Sequence, residues 1–114
     1  MNIKTERGKR GEQQACRFLI TRGMRIIERN WRYGKDEIDI IARDKNMIVF
    51  VEVKYRTSPV FGYPEESVTR QKQACIRRAM LGYLAQNPSK SYRMDVISII
   101  EGESREIAHI KDVF

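Results

Sequence analysis

The sequence predicts one α/β domain over residues 1–114, a mixed β-sheet flanked by helices in the order α-β-β-β-α-β-β. Three observations carry that expectation. A chain of 114 residues has room for a single hydrophobic core. Its most apolar stretch, Met47 to Tyr55, holds Ile48, Val49, Phe50, Val51 and Val53 in an almost unbroken run, as a strand covered on both faces requires. Helix and strand signals then alternate around that run, so the sheet is mixed rather than purely antiparallel.

Taken in order, Thr5 to Arg22 reads as a helix. Ala15, Cys16, Phe18 and Leu19 recur at helical spacing, Thr5 can cap its start, and Gly23 stands where a glycine ends helices. Met24 to Arg32 is a first strand and Tyr33-Gly34-Lys35-Asp36 a turn. Glu37 to Arg43 is a second strand, closed by Asp44-Lys45-Asn46, and Met47 to Tyr55 the third. Arg56 to Pro64, with Ser58-Pro59 and Gly62, reads as a loop. A second helix runs from about Ser67 to Gln86 and ends at Asn87-Pro88. Tyr92 to Ile100 and Glu106 to Lys111 complete the sheet, the latter as a short edge strand.

Lys+Arg exceed Asp+Glu by 22 to 15, giving a net charge of +7 that favours a polyanionic partner. The cysteines, Cys16 and Cys75, are too few for a disulfide framework, which points to reduced thiols and the cytoplasm. The start of the chain is polar, without an apolar leader core, and no apolar run is long enough to span a bilayer. The one histidine, His109, excludes multi-histidine metal sites and reads as a plain strand residue.

The chemistry sits where charges interrupt buried strands. Alternation places Glu37 and Asp39 on one face of the second strand and Ile38 and Ile40 on the other. Glu52 and Lys54 share a face at the end of the third strand. Buried charges in a central strand are costly unless paired or bound to metal. The short turn between these strands makes them antiparallel neighbours, so Asp39 and Glu52 can supply hard oxygen donors to Mg²⁺ or Mn²⁺, with the Val53 carbonyl as a further ligand. Lys54 then stands one pleat away, placed to orient a water nucleophile or stabilise developing charge. The plainer alternative is a strand emerging into solvent at Glu52 with a surface ion pair.

Asp39 followed by Glu52-Val53-Lys54 resembles the motif of the PD-(D/E)XK nuclease superfamily, whose fold is the restriction-endonuclease-like α/β domain. A wider resemblance covers nearly the whole chain. Gly8-Lys9-Arg10-Gly11-Glu12 with Ala15, Glu37-Ile38-Asp39-Ile40-Ile41-Ala42, Val49 to Arg56, Lys72 with Ala79 and Tyr83-Leu84, Arg93-Met94-Asp95-Val96 and the Ile107-to-Phe114 tail look like the YraN family of small bacterial proteins. That family is similar in layout to archaeal Holliday junction resolvases. Lys35-Asp36 departs from it, since glycine is more usual there.

The resemblance implies a Mg²⁺-dependent nuclease-like domain acting on DNA, branched DNA included, with Asp39, Glu52 and Lys54 catalytic and Asp39 and Glu52 as metal ligands. It also implies a metal-ligating role for Glu12. Independently, Glu12 shares the inward helical face of Ala15 and Leu19, although a carboxylate near a helix start also suits the dipole. Arg10, Arg56 and Lys72 are the expected nucleic-acid contacts. Arg70, Arg77 and Arg78 lie nearby on the second helix, the last two reading better as a solvated face. Trp31, Tyr33 and Tyr55 suit base stacking or, more commonly, packing. Resolvases pair because a junction presents two symmetric strands, so the resemblance implies a homodimer, without an apolar stripe to mark the interface. Two other readings stay open: a nucleic-acid-binding module that does not cleave, and a basic scaffold for a protein partner.

Overall fold

The computed structural model describes residues 6–57 and 69–113. The elements are α1 (Glu6–Thr21), β1 (Arg25–Tyr33), β2 (Asp36–Asp44), β3 (Met47–Arg56), α2 (Arg70–Gln86), β4 (Tyr92–Ile100) and β5 (Glu106–Ile110). The predicted order holds. The strands form one sheet in the order β1-β2-β3-β4-β5. Only β3 and β4 are parallel, as the α2 crossover between them requires. Thr5, Ser67 and most of the expected loop lie outside the described residues.

Helix α1 ends as its sequence dictates. Gly23 takes a φ of +87°, a left-handed conformation cheap only for glycine. Its N–H donates to the Ile20 carbonyl at 2.9 Å and the Met24 N–H to the Leu19 carbonyl at 3.0 Å. Met24 and Leu19 then pack in the same apolar cluster, which completes a Schellman stop. Thr69 opens α2, accepting from the Lys72 N–H at 3.1 Å, so the helix begins three residues later than the sequence suggested.

The sheet separates two cores. Ala15, Leu19 and Cys16 of α1 cover Ile40, Ala42, Val49, Val51, Ile97 and Ile99. On the other side Ile76, Ala79, Met80 and Tyr83 of α2 cover Ile38, Ile41, Ile48, Phe50 and Met94. Strand β3 contributes alternate residues to both, as its continuous apolar run predicted. Gly11 lets α1 approach β3 closely, because a Cβ there would stand 2.8 Å from that of Tyr55. Asp36 pins the β1–β2 turn to α2 by accepting from Arg78 Nε at 3.1 Å. Arg78 is thereby a structural partner rather than a free phosphate contact.

The far edge is tied down by a buried charge. Asp95 on β4 has no solvent exposure. It accepts from Arg93 Nε at 3.0 Å, from the Asp112 N–H at 3.0 Å and from His109 Nε2 at 2.8 Å. Burial works to raise its carboxyl pKa, but the His109, Arg93 and Asp112 bonds outweigh it and hold the group below its ordinary value. An ionised Asp95 requires the proton on His109 Nε2. His109 is therefore a strand residue, as expected, that also binds β5 to β4.

Removing the imidazole leaves a buried carboxylate short of a donor. His109→Ala is expected to lower stability by about 1–3 kcal/mol, read from the urea midpoint at neutral pH. Because the folded pKa of Asp95 is depressed, its contribution is complete above the unfolded value of about 4 and is lost as pH falls through the lower folded value. Asp95→Asn should flatten the stability profile in that acid window. An unchanged slope would remove Asp95 as its source.

Candidate functional site

The site forms where β2 parts from β3. Their ladder runs from Asp44 opposite Met47 to Ile40 opposite Val51 and stops. The next residues along are Asp39 and Glu52. Asp39 fills the opening: its Oδ2 accepts a 2.9 Å bond from the Val53 N–H, which β2 no longer pairs. Both carboxylates are sunk at this fork, Asp39 at 7% and Glu52 at 5% exposure. Burial at Glu52 rules out the alternative of a strand emerging into water.

The expected alternation across Asp39 is corrected by the structure. Ile38 packs on the α2 side but Ile40 on the α1 side, so the two do not share a face. The neighbouring strand breaks step at the same level. Trp31 lies on the α2 side, while the Arg29 guanidinium approaches Glu12 of α1. Arg29 pairs with Ile40 and Trp31 with Ile38, which sets Asn30 across from Asp39. Asn30 has a φ of +53°, a left-handed conformation that asparagine tolerates better than most residues. A left-handed residue interrupts the regular pleat, and this kink falls at the level where Asp39 leaves its own ladder and bonds to the Val53 N–H of β3.

Glu52 and Lys54 share the α2 side, as predicted. Glu52 Oε1 lies 3.8 Å from Lys54 Nζ and 3.8 Å from Lys72 Nζ, so one oxygen is bracketed by two ammonium groups. On the α1 side Glu12 is 2% exposed and faces Arg29 Nη2 at 3.9 Å. Gly11, in close contact with Tyr55, brings this turn of the helix down on the end of β3.

The donor chemistry suits a hard cation. Mg²⁺ commonly takes one or two carboxylates and completes its shell with water and phosphate oxygens, and Asp39 with Glu52 offers such a set. Among the described residues, no group of three or more His, Cys, Asp and Glu side chains comes together to hold a metal. The fit is to an open two-carboxylate site.

The other candidates distribute as follows. Arg10 is exposed on α1, Arg56 is half-buried at the end of β3, and Arg70 and Arg77 are exposed on α2. Trp31 packs edge-on against Tyr83, and Tyr55 packs against the α1-side core. Tyr33 stacks on Trp31 yet stays 46% exposed. Sequence reasoning missed Arg29, Asn30 and the direct reach of Lys72 to Glu52. An asparagine inside a strand was the one visible sign of the kink.

If the kink positions Asp39, Asn30→Gly should leave urea stability within about 1 kcal/mol of the parent, while Asn30→Val should cost about 1–2 kcal/mol through the left-handed penalty. Equal stabilities would mean that the backbone relaxes and the kink is not enforced.

Comparison with known proteins now adds to this geometry. The family model described as "Uncharacterised protein family UPF0102" matches residues 11–99. A UPF0102 protein of Chlorobaculum tepidum is 46% identical over 123 aligned positions, covering 100% of this chain and 95% of that protein. One from Chlorobaculum parvum is 44% identical over 94% of this chain and 90% of its own length. A third, from Nocardia farcinica, is 45% identical over 94% and 87%. The YraN resemblance read from the motifs holds, and the chain belongs to the UPF0102 family.

Proposed function

We propose that this protein is a metal-dependent endonuclease acting on DNA. The observation that carries the reading is the meeting of Asp39, Glu52 and Lys54 at the β2–β3 fork, with both carboxylates buried. Nothing in the fold alone calls for two acidic groups and a lysine on adjacent central strands, because apolar residues would fill that space at lower cost.

In this reading Asp39 and Glu52 would hold Mg²⁺ or Mn²⁺, and the auxiliary role expected of Glu12 would require it to reach the ion from the α1 side, where its carboxylate stands 3.9 Å from Arg29. Such an ion supplies Lewis-acid polarisation of the scissile phosphate and acidifies a bound water. Lys54 orients the nucleophile and stabilises charge that develops on the phosphoryl oxygens. Lys72, Arg56 and Arg10 contact the phosphate backbone, in keeping with the net charge of +7. Branched DNA is the substrate class suggested by the likeness to resolvases, and a homodimer would present two such sites to it. Cys16 and Cys75 are free thiols, which suits the cytoplasm. No helix among the described residues is long and apolar enough to cross a membrane.

A second reading has one observation in its favour. The ammonium groups of Lys54 and Lys72 already offset the charge of Glu52 without a metal, as a non-catalytic nucleic-acid-binding module would require.

Calorimetric titration of Mg²⁺ and Mn²⁺ into the protein and into an Asp39→Asn/Glu52→Gln variant separates the two. Binding abolished in the variant, with metal-dependent cleavage of four-way or duplex DNA, is the expected result. Lys54→Ala should then reduce cleavage by about 100-fold or more, the scale of losing one charge-stabilising donor. Full cleavage by Lys54→Ala would make the mechanism wrong. Salt-dependent DNA binding that survives Glu52→Ala, with no cleavage in either metal, would favour the binding module.

A further inference from the structure

We propose that Lys72 is a displaceable counter-ion at the metal position: it holds Glu52 in the metal-free protein and must leave when a divalent cation arrives. The inference rests on the metal-site reading above and adds a control of metal uptake to it.

The two lysines around Glu52 are not equivalent, although both stand 3.8 Å from the same Oε1. Lys54 is two residues along the same strand, on the same face, with its side chain 22% exposed. Its backbone is fixed by pairing with Ser98 of β4, so it remains beside the site whatever Glu52 binds. Lys72 comes from another element, the first turn of α2, and its side chain is 45% exposed. A long flexible stem in that setting can swing into solvent at little cost.

The setting also makes Lys72 dependent on an anion. The first turn of α2 carries no acidic residue, and Arg70 shares that turn with Lys72. Both cations sit at the positive end of the helix macrodipole, where anions are favoured and cations are not. Glu52 offsets that unfavourable placement. Once a cation occupies Glu52, Lys72 faces a divalent charge as well as the helix end, and an anion becomes its best partner. A DNA phosphate is such an anion, so metal uptake and phosphate binding reinforce each other through the side chain that the first displaces and the second receives.

Lys72 is exposed enough that substitutions should fold, which thermal melting checks directly. Mn²⁺ alone is titrated calorimetrically into the parent protein, Lys72→Met, Lys72→Arg and Glu52→Gln, then again in the presence of a short DNA duplex. Lys72→Met should bind Mn²⁺ about three- to fivefold more tightly than the parent without DNA, the scale of a partly exposed ion pair. Lys72→Arg should return toward the parent, and the advantage of Lys72→Met should shrink when DNA is present. Equal or weaker Mn²⁺ binding by Lys72→Met, with binding abolished in Glu52→Gln, would overturn the inference and leave the metal site standing. No Mn²⁺ binding by the parent or by Lys72→Met, with or without DNA, would overturn both.

Discussion

The cost of burying charge in a central sheet governs this protein. Strands β2, β3 and β4 bury the carboxylates of Asp39, Glu52 and Asp95, besides Asp36 at the start of β2, which Arg78 pairs. An uncompensated carboxylate at any of them would cost several kcal/mol, a large part of the stability of a small domain. The fold meets the demand in three different ways. Asp95 is enclosed by direct bonds from a guanidinium, an imidazole and a backbone N–H, all between 2.8 and 3.0 Å. Asp39 takes a backbone N–H that the sheet itself released. Glu52 is approached by two ammonium groups at 3.8 Å, beyond the range of a direct hydrogen bond.

The partners of Asp95 are architectural. The short bonds at Asp95 join β4 to β5 and draw the segment after β5 back onto the sheet, where Val113 donates to the Met94 carbonyl at 2.8 Å. A ligand could enter there only by breaking the fold. The ion pairs of Glu52 with Lys54 and Lys72 are longer, at 3.8 Å.

Much of this was legible in the sequence because it depends on local patterns. The apolar run of β3, Gly23 after α1 and Asn87-Pro88 after α2 each act over a few residues and place their elements almost to the residue. The Glu52-Val53-Lys54 spacing fixes a shared face by the two-residue period of a strand. The sequence could not show where that period fails. The faces of Ile38 and Ile40 were misassigned because Asn30, across the ladder, takes a left-handed φ and breaks step in both strands. The roles of His109 and Arg78 were invisible for a related reason: their partners, Asp95 and Asp36, are 14 and 42 residues away, and no local pattern encodes such pairings.

The charge balance of the fork links these levels. Glu52 stands with Lys54 and Lys72, Glu12 stands with Arg29, and Asp39 lies at the same fork, on a molecule of net charge +7. A neutral site within a basic surface attracts a polyanion through the surface rather than through the site, so approach of a nucleic acid is governed by long-range field and salt. Under the proposed metal-site reading, a divalent cation would reverse the local balance and leave an excess of positive charge where a phosphate would lie. On that reading the two lysines would divide the work: Lys54, fixed to the strand, would keep its position relative to the carboxylates, while Lys72, carried on a helix end, would follow the charge. In the proposed reading a single lysine would not serve both ends, because a group held rigidly enough to orient a nucleophile would not be free to leave an oxygen that a metal needs.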